Sequence, residues 1–480
     1  MKAVFGIILL FIFWTLLSFW VGDYFVPYPW QTLFDFVDLF ISDDAFYHLG
    51  LTILRVLIGF VFAVFSGFIF GWFVGRNPVL SKLSRPMILF FQGMPPILWT
   101  IPLLLIMGVG FFTPVVVIAL ITFPLIVVNI SEGVKTIPVS LEEMVALFAP
   151  GFLPRLREVY FPHLKPFITA ALELGIVLAL KASTVAEFFG ASDGIGAKIN
   201  GSYQAFKMHA LFAWGFLVIV LILLFHALGS WIKKQAVNMK GFHRGFYFPF
   251  QSKRHEKQSS YVGIEVNGLD FAYHNGDKIL NNIQFKLGGK EMALLSGDSG
   301  KGKTTLVHLL SGLIKSSQAN IRIPRKRGVV FQDDRFLPWR DVLYNAALPV
   351  IYGAYGQGGQ RAMDNVRTWL KKCGLEDYSG YFPAELSGGM KKRLALARCL
   401  SFEPEVLLLD EPFVGLDKRS RIEIWKLIKD YYDENNVAIL IVTHHPEDIP
   451  FLSECRILEL KDRTINEKKS RLSQPALNVK

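Results

Sequence analysis

Cysteine is scarce in this sequence, with three among 480 residues, and charge is scarce over its first half. Cys373, Cys399 and Cys455 all lie in the second half and form neither a CxxC pair nor a Cys/His ligand spacing. That excludes a disulfide scaffold and suggests no metal site; they read as reduced cytosolic thiols. Residues 1–232 carry 12 Lys and Arg against 12 Asp and Glu, and the remaining 39 basic and 28 acidic residues fall in 233–480. The entire net charge of +11 therefore belongs to the second half. With 52% hydrophobic and 14% aromatic residues, disorder and collagen are excluded as well. Two materials are joined near residue 232, a membrane-like one and a soluble one. The basic cluster Lys233, Lys234, Lys240, Arg244, Lys253, Arg254 and Lys257 follows directly on a hydrophobic segment. It fits the cytoplasmic face of a lipid bilayer, and no nucleic acid is expected as a partner.

A helix needs about 20 apolar residues to cross a bilayer. Six stretches qualify as expected spans: 4–21, 48–74, 86–107, 113–131, 166–190 and 209–232. The first is read as a span and not a secretory signal, because it holds bulky Phe and Trp and no small-x-small cleavage site follows. The stretch 22–47 has Asp23, Asp35, Asp38, Asp43 and Asp44 but no Lys or Arg, whereas Arg76, Lys82, Arg85 and then Lys135, Arg155, Arg157, Lys165 mark the next two loops on one side. The basic loops are expected inside, with both ends of the domain cytoplasmic. Lys198 and Lys207 in the outer loop 191–208 run against that pattern.

Arg55, Gln92, Glu173, Lys181 and Glu187 are polar residues inside the spans. Charge at membrane depth is costly, so each either makes an internal pair or lines a pathway. Arg55, Lys181 and Glu187 are the candidate pathway residues, and Arg55 and Lys181 would suit an anion. Pro95, Pro96 and Pro102 in the third span need neighbouring helices to satisfy freed carbonyls.

After a polar, basic linker at 233–261, strand-like runs alternate with helix-like ones: Ile279–Leu287, Met292–Ser296, a helix from Lys303, Gly328–Phe331, Val406–Leu409, a helix near 418–433, and Val437–Val442. The alternation predicts an α/β domain with a largely parallel core over 262–462, followed by a polar tail at 463–480. Gly297-Asp298-Ser299-Gly300-Lys301-Gly302-Lys303-Thr304-Thr305 follows the run Met292–Ser296 and opens a helix. This is the setting of a phosphate-binding P-loop: glycines let backbone amides curl around phosphate, Lys303 neutralises its charge and Thr304 ligates Mg2+. Asp410 and Glu411 close the apolar run Val406–Leu409. Asp410 is the candidate Mg2+ residue and Glu411 the candidate base that polarises water. Leu386-Ser387-Gly388-Gly389-Met390 opens a further helix and forms a second anion cradle. One nucleotide already has its P-loop, so a second cradle implies a second ATP-facing surface.

These segments resemble the ATP-binding-cassette (ABC) ATPases over about 262–462. The resemblance places Tyr273 against adenine, Gln332 at a metal- and water-sensing position, Gly415-Leu416-Asp417 in the loop at the dimer interface, and His444 at the γ-phosphate switch, with His445 where Asp is more usual. Leu337-Pro338-Trp339 after Gln332 is similar to the ATPases of nitrate/sulfonate/taurine-type importers. In the first half, Thr52-Ile-Leu-Arg55-Val-Leu-Ile-Gly59-Phe60 and Ala186-Glu187 before Gly194-Ile195-Gly196 are similar to the same group. The loop 132–165 resembles the cytoplasmic coupling loop of bacterial ABC importer permeases at Glu143, Val159 and Pro162, with Ala149 where that family usually has Gly and Met144-Val145 where it has two alanines. From Lys303 to Gln332 is only 29 positions, so a trimmed antiparallel β part is expected.

The resemblance implies an all-α six-span membrane domain, 1–232, followed by an α/β P-loop ABC ATPase domain with a helical signature subdomain. It implies an ATP-driven importer that uses ATP and Mg2+, works as a homodimer and is fed by an external substrate-binding protein at a bacterial inner membrane. Two other readings stay open: an exporter half-transporter, and a non-transporting cassette ATPase acting on an envelope partner.

Overall fold

A computed structural model describes residues 2–42, 45–148, 151–238, 262–273, 276, 278–298, 300–314, 320–352, 360–444 and 455–468. The chain divides into two units: Met1–Ile137 with His163–Phe242, and Pro138–Pro162 with His243–Lys480. The second unit thus takes in the middle of the expected coupling loop. Ser299, Ala149, His445 and the side chains of the basic cluster Lys233–Lys257 lie outside the described residues, as do 469–480 of the expected tail.

The first unit is helical. Its elements are α1 (Lys2–Val21), α2 (Pro29–Ser42), α3 (Ala45–Arg76), α4 (Pro78–Gly93), α5 (Pro96–Met107), α6 (Phe112–Lys135), α9 (Phe161–Gly190), α10 (Ile195–Gln204) and α11 (Met208–Asn238). Among the described residues, Ala45–Arg76, Phe112–Lys135, Phe152–Gly190 and Met208–Trp231 are long and apolar enough to cross a membrane, and Phe5–Val21 is a shorter apolar helix. The span expected at 86–107 is not one straight helix. It breaks between α4 and α5 with a bend of 91°, where Pro95 and Pro96 remove two donors and force extended backbone. The outer stretch 22–47, read as a loop, contains α2, whose Phe36, Leu39 and Phe40 join Trp214, Leu217 and Leu221 of α11 in one apolar cluster. Helix α11 also carries on past 232 into the expected linker.

The tightest helix pair is α3 with α6. Gly67, Gly71 and Gly75 recur every four residues, so they line one face of α3. A Cβ on them would come within 2.8 Å of Ile126, 2.9 Å of Ile130 and 2.6 Å of Val134. Small residues at this spacing let two backbones approach within a lipid-like environment, where packing replaces the hydrophobic effect as the source of association.

The second unit opens with the segment α7 (Val139–Phe148), α8 (Phe152–Arg155) and one π-helical turn, Leu156–Tyr160. The ATPase part follows: β1 (Gly263–Ala272), β2 (Lys278–Gly288), β3 (Met292–Ser296), α12 (Lys303–Ser311), β4 (Asn320–Arg322), β5 (Arg327–Val330), α13 (Val342–Ile351), α14 (Gln360–Lys372), α15 (Gly388–Leu400), β6 (Val406–Asp410), α16 (Lys418–Glu434), β7 (Ala438–Val442), β8 (Arg456–Lys461) and β9 (Thr464–Lys468). One sheet runs β5-β6-β7-β3-β8-β9; its first five strands are parallel and β9 is antiparallel. Strand β7 is a continuous run of Ala, Ile, Leu and Val, and β3 and β6 are apolar up to their last residues, Ser296 and Asp410, as befits strands covered on both faces. A second, antiparallel sheet, β2-β1-β4, includes the three-residue β4, consistent with a trimmed β part. Strand β9 occupies part of the stretch expected as a polar tail. It is held there by Ile465 packed on the core and by the ion pair of Glu467 with Arg456.

Candidate functional site

Strands β3, β6 and β7 are neighbours in register, so their carboxyl ends present three loops on one edge of the sheet. Ligands in open α/β sheets bind outside such ends. The P-loop leaves β3 and enters α12 through Gly302, whose φ of +99° and a Cβ position only 2.7 Å from Ile279 require glycine. Lys303 is buried, and its Nζ donates to the carbonyls of Gly297 at 2.6 Å and Asp298 at 2.9 Å. Burial lowers the Lys303 pKa, against the pull of Glu411, Asp410 and Asp298. Thr304 and Thr305 open α12, and Thr305 Oγ1 lies 3.4 Å from the Tyr273 hydroxyl. Tyr273 itself is 49% exposed, which leaves its ring open to a planar partner.

Asp410 ends β6 almost fully buried, and its Oδ1 finds no hydrogen-bond partner among the described residues. Its pKa is pushed up to about 6, chiefly by burial, while the Thr304 hydroxyl opposes the rise and the Glu411 charge adds to it. A buried, under-satisfied carboxylate beside a threonine hydroxyl is an oxygen donor set that suits a hard divalent cation such as Mg2+. Glu411 follows with φ +51°, a left-handed conformation that costs a side-chain-bearing residue about 1–3 kcal/mol. Its backbone N–H donates to Val442, fixing that geometry. The carboxylate accepts from Thr443 Oγ1 at 2.9 Å and from the His444 N–H at 3.0 Å, and His444 Nδ1 lies 2.6 Å away. The structure therefore brings Glu411 and His444, 33 positions apart, into direct contact. Thr443 was not foreseen from sequence; its only signal is its place between β7 and His444.

Ser387 N-caps α15 by accepting from Met390 N at 3.3 Å; Ser387 and Gly388 are exposed, Gly389 and Met390 are half-exposed, and Leu386 is buried. Asp417 likewise N-caps α16, and its hydrogen bonds from Ser420 hold its carboxyl below the usual range. Gln332 is exposed on the loop after β5, and its carbonyl accepts from Lys392 Nζ at 2.6 Å. Lys392 also pairs with Asp334 at 3.4 Å, and Arg398 Nη1 donates to the Arg335 carbonyl at 2.9 Å. Helix α15 thereby holds the Gln332 loop along its length.

The segment 138–162, expected to be the coupling loop, is seated in the same unit. Glu143 accepts from Arg335 Nη1 at 2.8 Å, Phe148 packs edge-on against Phe402, and Val159 is fully buried. Pro162 closes the segment.

The candidate pathway residues separate into two kinds. Arg55 and Glu187 are both buried and pair at 3.2 Å. Thr52 Oγ1 and the Gly196 N–H donate to Glu187, and Arg55 also donates to the Asp193 carbonyl and pairs with its carboxylate. This cluster ties the 193–196 turn to α3 and α9, so internal pairing accounts for both residues. Glu173 similarly lies 3.6 Å from His226. Lys181, by contrast, is exposed on α9. We expect Glu187→Gln, which keeps shape but removes a charged acceptor, to destabilise the membrane unit by about 2 kcal/mol. Thermal unfolding of the full chain in detergent should show a first transition lowered by about 4–8 °C.

A glycine-rich loop after β3, a strand-end Asp-Glu pair, a histidine against the glutamate and a Ser-Gly-Gly helix start fit a P-loop ATPase of the cassette type. Residues 280–414 match the family described as "ABC transporter", and 63–237 match "Binding-protein-dependent transport system inner membrane component". The chain is 37% identical to the aliphatic sulfonates import ATP-binding protein SsuB 2 of Frankia alni, over 42% of this chain and 79% of that protein. It is 38% identical to SsuB 3 of Rhodococcus jostii, over 42% of this chain and 73% of that one. A solved dimeric cassette, MJ0796 with ADP and Pi, is 27% identical over 44% of this chain and all of its own, with a TM-score of 0.40. The chain belongs to the ABC transporter family. It is an import-type member in which a multi-pass permease domain and an ATP-hydrolysing cassette are fused in one polypeptide.

Proposed function

We propose that two copies of this chain form a two-fold homodimer that imports a small anion across a bacterial inner membrane, with its ATPase units in the cytosol. An external substrate-binding protein delivers the solute. The observation that carries this reading is the seat of 138–162 in the ATPase unit, with Glu143 gripped by Arg335 three residues after Gln332. This pair supports a segment within the permease match lying against the Gln332 loop, which in this reading senses nucleotide.

In each ATP site, Lys303 and the P-loop amides hold the phosphates and Tyr273 stacks on the base, while Ser387–Gly389 of the second copy close the other side. Thr304, Asp410 and Gln332 would hold Mg2+, which supplies charge neutralisation on the transferring phosphoryl group. Glu411, oriented by Thr443 and His444, takes the proton from attacking water. Asp417 lies in the loop at the dimer interface. Closure of the two cassettes carries the coupling segments with it and switches the membrane units between outward and inward openings; it needs ATP to bind the closed state better than the open one. Support for an anion comes from the exposed Lys181 on a membrane-spanning helix and from the sulfonate importers among the relatives.

The test is uptake and ATP hydrolysis in proteoliposomes with and without the loaded binding protein and an aliphatic sulfonate. Stimulation by the loaded binding protein is expected. Stimulation by hydrophobic compounds alone would point to export instead.

A further inference from the structure

The segment 138–162 contains a second acidic residue whose surroundings are unlike those of a surface loop. Glu158, on the π-helical turn, is fully buried. A buried carboxylate is tolerated only when its oxygens are paired and hydrogen-bonded. Here Tyr344 and Tyr352 hydroxyls donate to Oε1 at 2.9 Å and 2.6 Å, and Arg340 donates to Oε2 through Nη2 at 2.9 Å and Nε at 3.2 Å. Trp339 Nε1 donates to the Glu158 carbonyl at 2.9 Å, and the Arg340 guanidinium stacks 4.1 Å over the Tyr344 ring. Burial beside this carboxylate raises both phenols, so they stay protonated and donate. Charge-assisted bonds of this number make a rigid joint.

The partners of that joint are not scattered. Trp339 and Arg340 end the loop that begins at Gln332, and Tyr344 and Tyr352 lie on and just after α13. Asn345, fully buried, bonds Leu337, Arg340 and Asp341 and so locks the loop onto α13. The same loop is held from the other side by Lys392 and Arg398 of α15, the helix that Ser387 opens. The anchors of Glu143 on Arg335 and of Glu158 on Arg340 and the tyrosines thus both fall on 335–352.

We propose that Glu158 is a positioning residue for coupled transport: its carboxylate fastens the end of the 138–162 segment to α13, so that the segment moves as one piece with the signature helix α15. This rests on the proposed transport function, but the physical joint can be tested without transport. Full-length protein carrying Glu411→Gln is compared with and without ATP by hydrogen–deuterium exchange, with Glu158 intact, with Glu158→Gln, and with the milder pair Tyr344→Phe/Tyr352→Phe. With Glu158 intact, ATP is expected to change protection in both α15 and 138–162. In either variant α15 should still respond while 138–162 no longer follows. In the Glu411-containing transporter, solute moved per ATP hydrolysed should fall about tenfold. Combining Glu158→Gln with the tyrosine pair should add little beyond either alone, since all three groups serve one joint. An ATP response of 138–162 that is the same in all three proteins overturns the proposal, whether or not uptake is observed.

Discussion

Replacement of Glu411 by glutamine is expected to leave ATP bound and almost uncleaved. The carboxylate is the acceptor in a three-donor arrangement of Thr443 Oγ1, the His444 N–H and the His444 ring. Glutamine keeps the size, and its one oxygen can still accept from the His444 N–H and ring while its amide group faces the Thr443 hydroxyl oxygen, but it cannot take a proton from water. A positioned general base contributes about 10²–10⁴-fold, and hydrolysis should drop by that factor. Nucleotide binding should survive because the P-loop, Lys303 and Asp410 are untouched. Filter binding of ATP alongside phosphate release checks both halves. Near-normal release would assign the base to another group, and loss of binding would mean that the left-handed backbone at Glu411 had collapsed.

Ser387→Arg should also abolish hydrolysis, by about 10²–10³-fold. The Ser387 hydroxyl accepts from the Met390 N–H on its own helix, and the residue is exposed. On a solitary chain, a surface arginine there would cost little beyond the cap of α15. In a paired cassette, the same side chain intrudes on the phosphate held by the other copy's P-loop. Phosphate release by purified Ser387→Arg protein separates the two cases, with thermal unfolding as the check that α15 remains folded. Retained hydrolysis would remove the second copy from the site.

The loops proposed to hold ATP were legible because each is a stretch of residues close in sequence. Gly297–Thr305 and Asp410–Glu411 each follow a hydrophobic run, Leu386–Met390 opens a helix, and all three segments fold where those patterns put them. Thr443, Lys392 and Arg398 were not legible, because their roles are set by which strands and helices become neighbours. Lys392 and Arg398 look like the solvated face of a helix until α15 packs beside the Gln332 loop. Glu158 is hidden for the same reason: only the fold reveals that two tyrosines and an arginine nearly 200 positions away enclose it. In the membrane half, hydropathy found the long helices but passed over α2, whose apolar residues are spread around acidic ones. It also ran straight through Pro95-Pro96, where the chain turns by 91°. Arg55 and Glu187 were correctly marked as costly in an apolar setting, while their mutual pairing depended on α3 and α9 lying together.

In the proposed dimer, two copies of this polypeptide share two ATP molecules across their P-loops and signature helices. Native mass spectrometry of detergent-purified Glu411→Gln protein, loaded with Mg2+ and ATP, measures this sharing most directly. Two chains carrying two uncleaved nucleotides, reduced to nucleotide-free protein when Lys303→Ala is added, are the expected result. A single chain that retains one ATP and, with Glu411 restored, still hydrolyses it would rule out the shared sites.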